Sequence, residues 1–185
     1  MPRDSLQVYK PEADTCLLLK AAMAEIRPGE RVLEVGTGSG LIAAELGRVA
    51  PVIATDINPH AAAAARGRGL EVIRADLLAG ICGKFDLIVF NPPYLPTRPD
   101  ERVDDWLEYA LDGGVTGRQV IGRFAAGVGR VLAPGGRILL LVSSLTGPDE
   151  VAALFAERGY SSSLAGQERI EGEVLFVLKI RRDGH

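Results

Sequence analysis

Short apolar stretches alternate with helical patterns along nearly the whole chain, and this alternation limits the fold more than any other feature. Strand-like runs fall at 31–35, 52–56, 70–74, 85–90 and 137–143. Between them, helical spacing of apolar residues predicts helices over 13–26, 41–49, the stretch from Pro59 through the alanine run, 118–132 and the stretch around Val151 to Phe155. The end of the chain reads as a hairpin, 160–169 and 174–180, turning near Glu171-Gly172. Strands alternating with helices build a parallel sheet covered on both faces, because each crossover must return along the same direction. The expectation is therefore an α/β, Rossmann-like fold in a single domain over 1–185. Its seven-stranded, mostly parallel sheet gains one antiparallel strand from the C-terminal hairpin. The longest irregular stretch, 95–117, is too long for a passive connection and reads as a substrate loop with a short helix near Trp106 to Ala110.

Composition narrows the function classes. The 185 residues are 47% hydrophobic and 24% charged, with a net charge of −3. No uncharged apolar run reaches the roughly 18 residues that a membrane-spanning helix needs. Nucleic-acid binders usually carry a basic footprint, and this chain shows only small clusters such as Arg181-Arg182, which disfavours a long duplex as partner. Two cysteines in unlike contexts, Cys16 and Cys82, fit a reduced cytoplasmic protein, and with two histidines they form no metal-ligand cluster.

Residues 32–40, V-L-E-V-G-T-G-S-G, put Gly36, Gly38 and Gly40 between the first strand and the following helix. Glycines there permit a tight turn and close approach of a ligand to the backbone. The spacing G-x-G-x-G departs from the dinucleotide fingerprint G-x-G-x-x-G. Acids follow at the strand ends. Asp56 closes the second strand, where a carboxylate accepts both ribose hydroxyls of an adenosine; such charge-assisted bonds are worth about 1.5–3 kcal/mol. Asp76 closes the third and suits the adenine amino group, with Leu77 over the ring. Glu34 lies inside the first strand, where an acid is costly unless paired, and suits a positively charged ligand end.

The tetrad Asn91-Pro92-Pro93-Tyr94 ends the fourth strand. Consecutive prolines fix the backbone and remove two N–H donors. The carbonyls of Asn91 and Pro92 and the side-chain oxygen of Asn91 are then available to grip the two hydrogens of a planar –NH2 group, and Tyr94 supplies a flat face. An amide or aromatic amine has a delocalised lone pair and needs positioning rather than prior deprotonation.

With these motifs the chain resembles the HemK-type glutamine methyltransferases, and within them the short archaeal and eukaryotic branch that modifies class I translation release factors. The resemblance rests on V-Y-K-P-E-A-D-T (8–15), E-V-G-T-G-S-G (34–40), T-D-I-N-P (55–59), F-N-P-P-Y (90–94), D-G-G-V-T-G-R-Q-V-I (112–121) and L-A-P-G-G (132–136). It implies S-adenosylmethionine as cofactor, S-adenosylhomocysteine as product, and methyl transfer to the glutamine amide of a Gly-Gly-Gln loop. It implies cofactor contacts from Thr15, Glu34, Gly36, Asp56, Asp76, Leu77 and Asn91, with Gly38, Gly40 and Ile57 beside them, and a glutamine held by Asn91, Pro92 and Tyr94. One departure is Pro11-Glu12-Ala13-Asp14-Thr15, where the family often has P-A-E-D-T. The resemblance also implies a small zinc-binding activator subunit. The strand 70–74, at the sheet edge in this fold's usual order, carries Leu70, Val72 and Ile73 and is the expected place for it.

Two other readings fit the same residues. The tetrad suits the exocyclic amine of adenine in RNA or DNA equally well, in an enzyme that flips its base. A non-catalytic module retaining the cofactor fold is the second; the intact glycines, Asp56 and Asn91 weigh against it.

Overall fold

The computed structural model describes residues 7–98, 100 and 105–184. Its strands are β1 (Val32–Val35), β2 (Val52–Asp56), β3 (Glu71–Arg74), β4 (Phe85–Phe90), β5 (Leu132–Ser143), β6 (Tyr160–Ile170) and β7 (Glu173–Arg182). Its helices are α1 (Ala13–Glu25), α2 (Leu41–Leu46), α3 (Pro59–Gly67), α4 (Trp106–Tyr109), α5 (Gln119–Val128) and α6 (Pro148–Ala156). The strands form one sheet in the order β3-β2-β1-β4-β5-β7-β6. Pairings are parallel from β3 to β5, and β7 runs antiparallel to both β5 and β6. Strand order reverses between β1 and β4, and in doubly wound sheets the crevice at that switch point is where ligands bind.

Strand periodicity sorts the core into two layers. Leu33, Val35, Ile88, Phe90, Ile138 and Leu140 face Phe124 of α5 and Phe155 of α6. Val32, Leu87, Val89, Leu139 and Leu141 face Leu17 and Leu18 of α1 and Leu46 of α2. Each fully buried large side chain contributes about 1.5–3 kcal/mol. By the same alternation Glu34 shares its face with Val32 and so points toward α1 and α2.

Two helix ends differ from the sequence expectation. The helix expected over 41–49 stops at Leu46, because the amide of Val49 bonds to the Leu46 carbonyl in a tighter turn. The helix expected over 118–132 stops at Val128. The Val131 carbonyl accepts from the Phe85 amide, and Leu132 pairs with Phe85 before the register shifts, so the Pro134-Gly135-Gly136 segment is an irregularity within β5.

The N-terminal ends of the strands are closed by a buried ion network. Arg137, only 4% exposed, bonds to Glu30 at 2.8 Å and to Glu25 at 3.1 Å, and Lys179 reaches Glu25 at 2.8 Å. The hydrogen bond from Arg137 holds the Glu30 carboxyl below the usual range. No helix among the described residues is long and apolar enough to cross a membrane.

Candidate active site

The C-terminal ends of β1, β2 and β4, with the start of α1, enclose one crevice. Of the site residues expected from sequence, Thr15, Glu34, Gly36, Gly38, Asp56, Ile57, Asp76, Leu77, Asn91, Pro92 and Tyr94 all line it. Gly40 does not. Its φ is +76°, and a Cβ there would lie 2.9 Å from Leu70 Cδ1 and 3.1 Å from the Ala65 Cβ, so it is a packing glycine that seats α3 against the loop. Gly36, by contrast, has room for a Cβ, which would meet Phe90 at 3.5 Å in ordinary contact; its φ of +67° is what favours glycine.

Among the described residues Glu34 finds donors but no cation. One carboxyl oxygen accepts the Thr37 hydroxyl at 2.5 Å and the Ala43 amide at 3.0 Å. The side chain thus caps α2, whose own N-cap residue, Gly40, has no side chain to offer. Burial pushes its pKa up to about 8; the two hydrogen bonds oppose this and the nearby Asp56 adds to it. Asp56 accepts from Gly38 N at 2.8 Å on one oxygen and from Asn58 N at 2.9 Å on the other. Burial raises this carboxyl too, against those backbone bonds. Asn58 caps α3 through His60 N and also donates to the Gln7 carbonyl, drawing the N-terminal segment to the crevice rim.

Asp76 sits at the other end, half-exposed, in an ion pair of 2.6 Å with Arg123 of α5. Sequence patterns gave no sign of that partner, because 47 residues separate the two. Leu77 has φ +51°, the one positive φ among the described non-glycine residues, which holds its side chain at the crevice wall.

The tetrad departs from β4 without a cis peptide bond. Asn91 donates through Nδ2 to Asp14 Oδ2 at 2.9 Å. Its Oδ1 is buried and has no hydrogen-bond partner among the described residues. Asp14 is 4% exposed and also accepts the Tyr9 hydroxyl at 3.1 Å. Burial, then the Asp14 charge, raises the Tyr9 pKa. Burial followed by the charges of Glu173, Asp14 and Glu12 does the same for Tyr94, so both rings stay neutral phenols. Sequence reasoning missed Tyr9 and Asp14. The available signal was an acid directly before Thr15 in the 8–15 motif; its partner at residue 91 is far away in sequence.

The 95–117 stretch is expected to be a substrate loop. Its residues 99 and 101–104 lie outside the described set. The remainder is pinned: Leu95 and Thr97 bond to the backbone of Leu111 and Gly114. Trp106 and Tyr109 of α4 pack edge to face at 5.8 Å and line the crevice, as does Arg123. The D-G-G-V-T-G segment buttresses the tetrad. At Gly117, φ +69°, a Cβ would collide with the Tyr94 carbonyl oxygen.

A doubly wound sheet of this order, with a crevice between a glycine loop and strand-end acids, defines a class I S-adenosylmethionine-dependent methyltransferase. Comparison with known proteins agrees. The methyltransferase small domain model matches residues 10–104. The human methyltransferase HEMK2 is 38% identical over 192 residues, covering 95% of this chain and 90% of its own. A Methanocaldococcus jannaschii protein assigned as a protein N5-glutamine methyltransferase is 35% identical over 184 residues, covering 95% and 92%. Among solved structures, the E. cuniculi Mtq2–Trm112 complex, described as responsible for methylating the eRF1 translation termination factor, superposes with a TM-score of 0.81 at 34% identity, over 96% of this chain and 99% of that one. The chain belongs to the methyltransferase small domain family, in the branch of HEMK2 and the protein glutamine methyltransferases.

Proposed function

We propose that this protein methylates the side-chain amide nitrogen of the glutamine in the Gly-Gly-Gln loop of a class I translation release factor. One observation carries the reading: the Oδ1 of Asn91 is buried and unpartnered among the described residues, and Asn91, on a proline-fixed backbone, lines the same crevice as the glycine loop. A buried acceptor left without a donor costs about 1–3 kcal/mol, and a ligand N–H relieves that cost. The relatives' names supply the identity of the nitrogen.

The crevice residues fit S-adenosylmethionine. Each Asp56 oxygen already accepts one backbone N–H and has a further lone pair for a ribose hydroxyl. Leu77 and Ile57 give apolar walls for the adenine, with Asp76 at its rim. Thr15 and Glu34 are placed for the amino-acid end. Bound there, the cofactor supplies an electrophilic methyl group. Asn91 Oδ1 and the Pro92 carbonyl hold the two amide hydrogens, and Tyr94 packs on the amide plane. As the nitrogen–carbon bond would form and the donor's sulfur–methyl bond break, leaving a neutral thioether, these acceptors would stabilise the positive charge growing on nitrogen, and one proton would then leave to solvent. No base is required beforehand.

The protein works in the cytoplasm, in this reading, as a heterodimer with a small zinc-binding activator. The edge position of β3, with Ile73 40% exposed, supports that strand as the contact. The test is mass spectrometry of the Gly-Gly-Gln peptide after incubation with cofactor, with and without the activator. One added methyl on glutamine is expected, reduced about 100–1000-fold in rate by Asn91→Ala. An unmodified glutamine in an activator-bound, cofactor-binding preparation, with methylation of adenine-containing RNA instead, would overturn the assignment.

A further inference from the structure

We propose that Asp14, supported by Tyr9, is a positioning residue that fixes the Asn91 amide with its oxygen toward the crevice, making position 91 an obligate hydrogen-bond acceptor. The inference rests on the function proposed above and goes one layer outward from the reacting atoms.

A free asparagine amide has two nearly isosteric orientations, one presenting an acceptor and the other a donor. Only the first can hold the hydrogens of a substrate –NH2. The second would present an N–H to an N–H. What selects between them lies behind Asn91. Asp14 Oδ2 stands 2.9 Å from Nδ2. An ionised carboxylate only accepts, so turning the amide over would set oxygen against oxygen at that distance and discard a charge-assisted bond.

Asp14 has no spare capacity for another role. A carboxylate offers about four lone-pair directions. Here Oδ1 takes the Thr15 amide at 2.5 Å and the Thr15 hydroxyl at 3.2 Å, while Oδ2 takes Tyr9 and Asn91. All four are filled from within the protein. The group is 4% exposed. It therefore neither takes a proton from the substrate nor binds the cofactor directly. The Tyr9 hydroxyl shares Oδ2 with Asn91 and so holds that oxygen in place. The arrangement also explains the residue type at 91. An aspartate there would face Asp14 as a second acceptor, whereas asparagine gives one face to each side.

The experiment uses the full chain, with its activator subunit where that is needed for solubility. It compares wild type, Asp14→Asn, Tyr9→Phe, Asn91→Asp and the reciprocal double variant Asp14→Asn with Asn91→Asp. In Asp14→Asn the side chain at position 14 can donate as well as accept, and Asn91 is freed to turn. We expect kcat on the glutamine substrate to fall about 10–100-fold, with cofactor affinity by calorimetry and the melting temperature little changed. Tyr9→Phe should lower kcat by a smaller factor. In the double variant, the amide introduced at position 14 donates to the carboxylate introduced at position 91, whose other oxygen faces the crevice as an acceptor. Its kcat should exceed that of Asn91→Asp alone about tenfold or more. A merely structural role predicts no such recovery. Wild-type kcat in Asp14→Asn, or a double variant no better than Asn91→Asp, overturns the proposal.

A second readout does not depend on turnover. The side-chain 15N–1H pair of Asn91 should show one strongly hydrogen-bonded proton, lost in Asp14→Ala; identical signals in both proteins overturn the proposal. If wild type fails to methylate glutamine while this signal behaves as expected, the substrate assignment has failed and the positioning has not.

Discussion

Replacing Glu34 by glutamine should change how stability depends on pH. In the ligand-free protein, burial holds the Glu34 pKa near 8, against about 4.5 in an unfolded chain. The native state then binds more protons than the unfolded state between those values, so stability from this group is complete below about pH 4.5 and is lost as pH rises through about 8. Each pKa unit corresponds to about 1.4 kcal/mol, so from pH 6 to pH 9 the loss from this group alone amounts to about 2.5 kcal/mol. Glutamine is the neutral mimic of the protonated acid. Its carbonyl oxygen replaces the one carboxyl oxygen that accepts from both Thr37 and Ala43, and its –NH2 replaces the other. Glu34→Gln should therefore gain on wild type by about 2.5 kcal/mol across that interval. Urea unfolding at pH 6, 7.5 and 9, with unchanged m-values, measures the difference. Parallel pH profiles for the two proteins would refute a buried, proton-holding Glu34. A cationic ligand end that pairs with Glu34 should also drive proton release on binding at pH 7, detected as a buffer-dependent calorimetric enthalpy.

Gly117→Ala forces a positive φ on a Cβ and drives it into the Tyr94 carbonyl; we expect about 2–4 kcal/mol lost in urea unfolding and a kcat loss in any folded fraction. Arg137→Ala removes the cation that Glu25 and Glu30 share, and should cost about 3–5 kcal/mol by thermal unfolding, whereas Arg48→Ala, an exposed pair with Glu45, should cost under about 0.5 kcal/mol. Ile73→Asp, on the exposed side of β3, should abolish co-purification of the activator while leaving the melting temperature of the isolated chain within a few degrees; an intact complex would place the partner elsewhere.

Much of this structure was legible in the sequence because it is written in local periodicity. Seven strands and the single antiparallel strand from the hairpin follow from alternation and turn chemistry, whereas the edge position of β3 follows from the resemblance to a known fold. The crevice was legible because its residues stand at strand ends. What escaped was set by distance along the chain. Nothing in the pattern around Asp76 announces Arg123, and nothing around Asn91 announces Asp14 and Tyr9, because side-chain pairs across 47 and 77 residues are created only by folding. That Gly40 lies outside the crevice lining escaped for a related reason. Glycines in a loop look alike in sequence, yet the first is favoured by its positive φ alone, whereas the third also relieves contact with α3 and Leu70. The helix boundaries failed where apolar spacing continues past a hydrogen-bond change, as at Leu132, whose partner Phe85 ends its helical option.

The distribution of charge separates stability from function along the strand axis. At the N-terminal ends, Arg137 and Lys179 balance Glu25 and Glu30, so the buried charges there are paired. At the C-terminal ends, Glu34 and Asp56 are both buried, and the hydrogen bonds found for their side chains among the described residues come from backbone amides and a hydroxyl, not from a cation. Burying carboxyl groups without a countercharge raises their pKa and weakens the fold at neutral pH. Only a ligand can reverse that cost, because one that binds the native state alone stabilises it by RT ln(1 + [L]/Kd). A crevice built this way favours a ligand carrying positive charge, and it couples that ligand to the fold: the same carboxyls that destabilise the empty protein become favourable partners once the cation arrives. Asn91 stands apart from them as a neutral acceptor. In the proposed reaction a carboxylate at that position would attract positive charge in the ground state, whereas an amide oxygen would strengthen its bond mainly as charge develops on the substrate nitrogen, which is the difference that lowers a barrier.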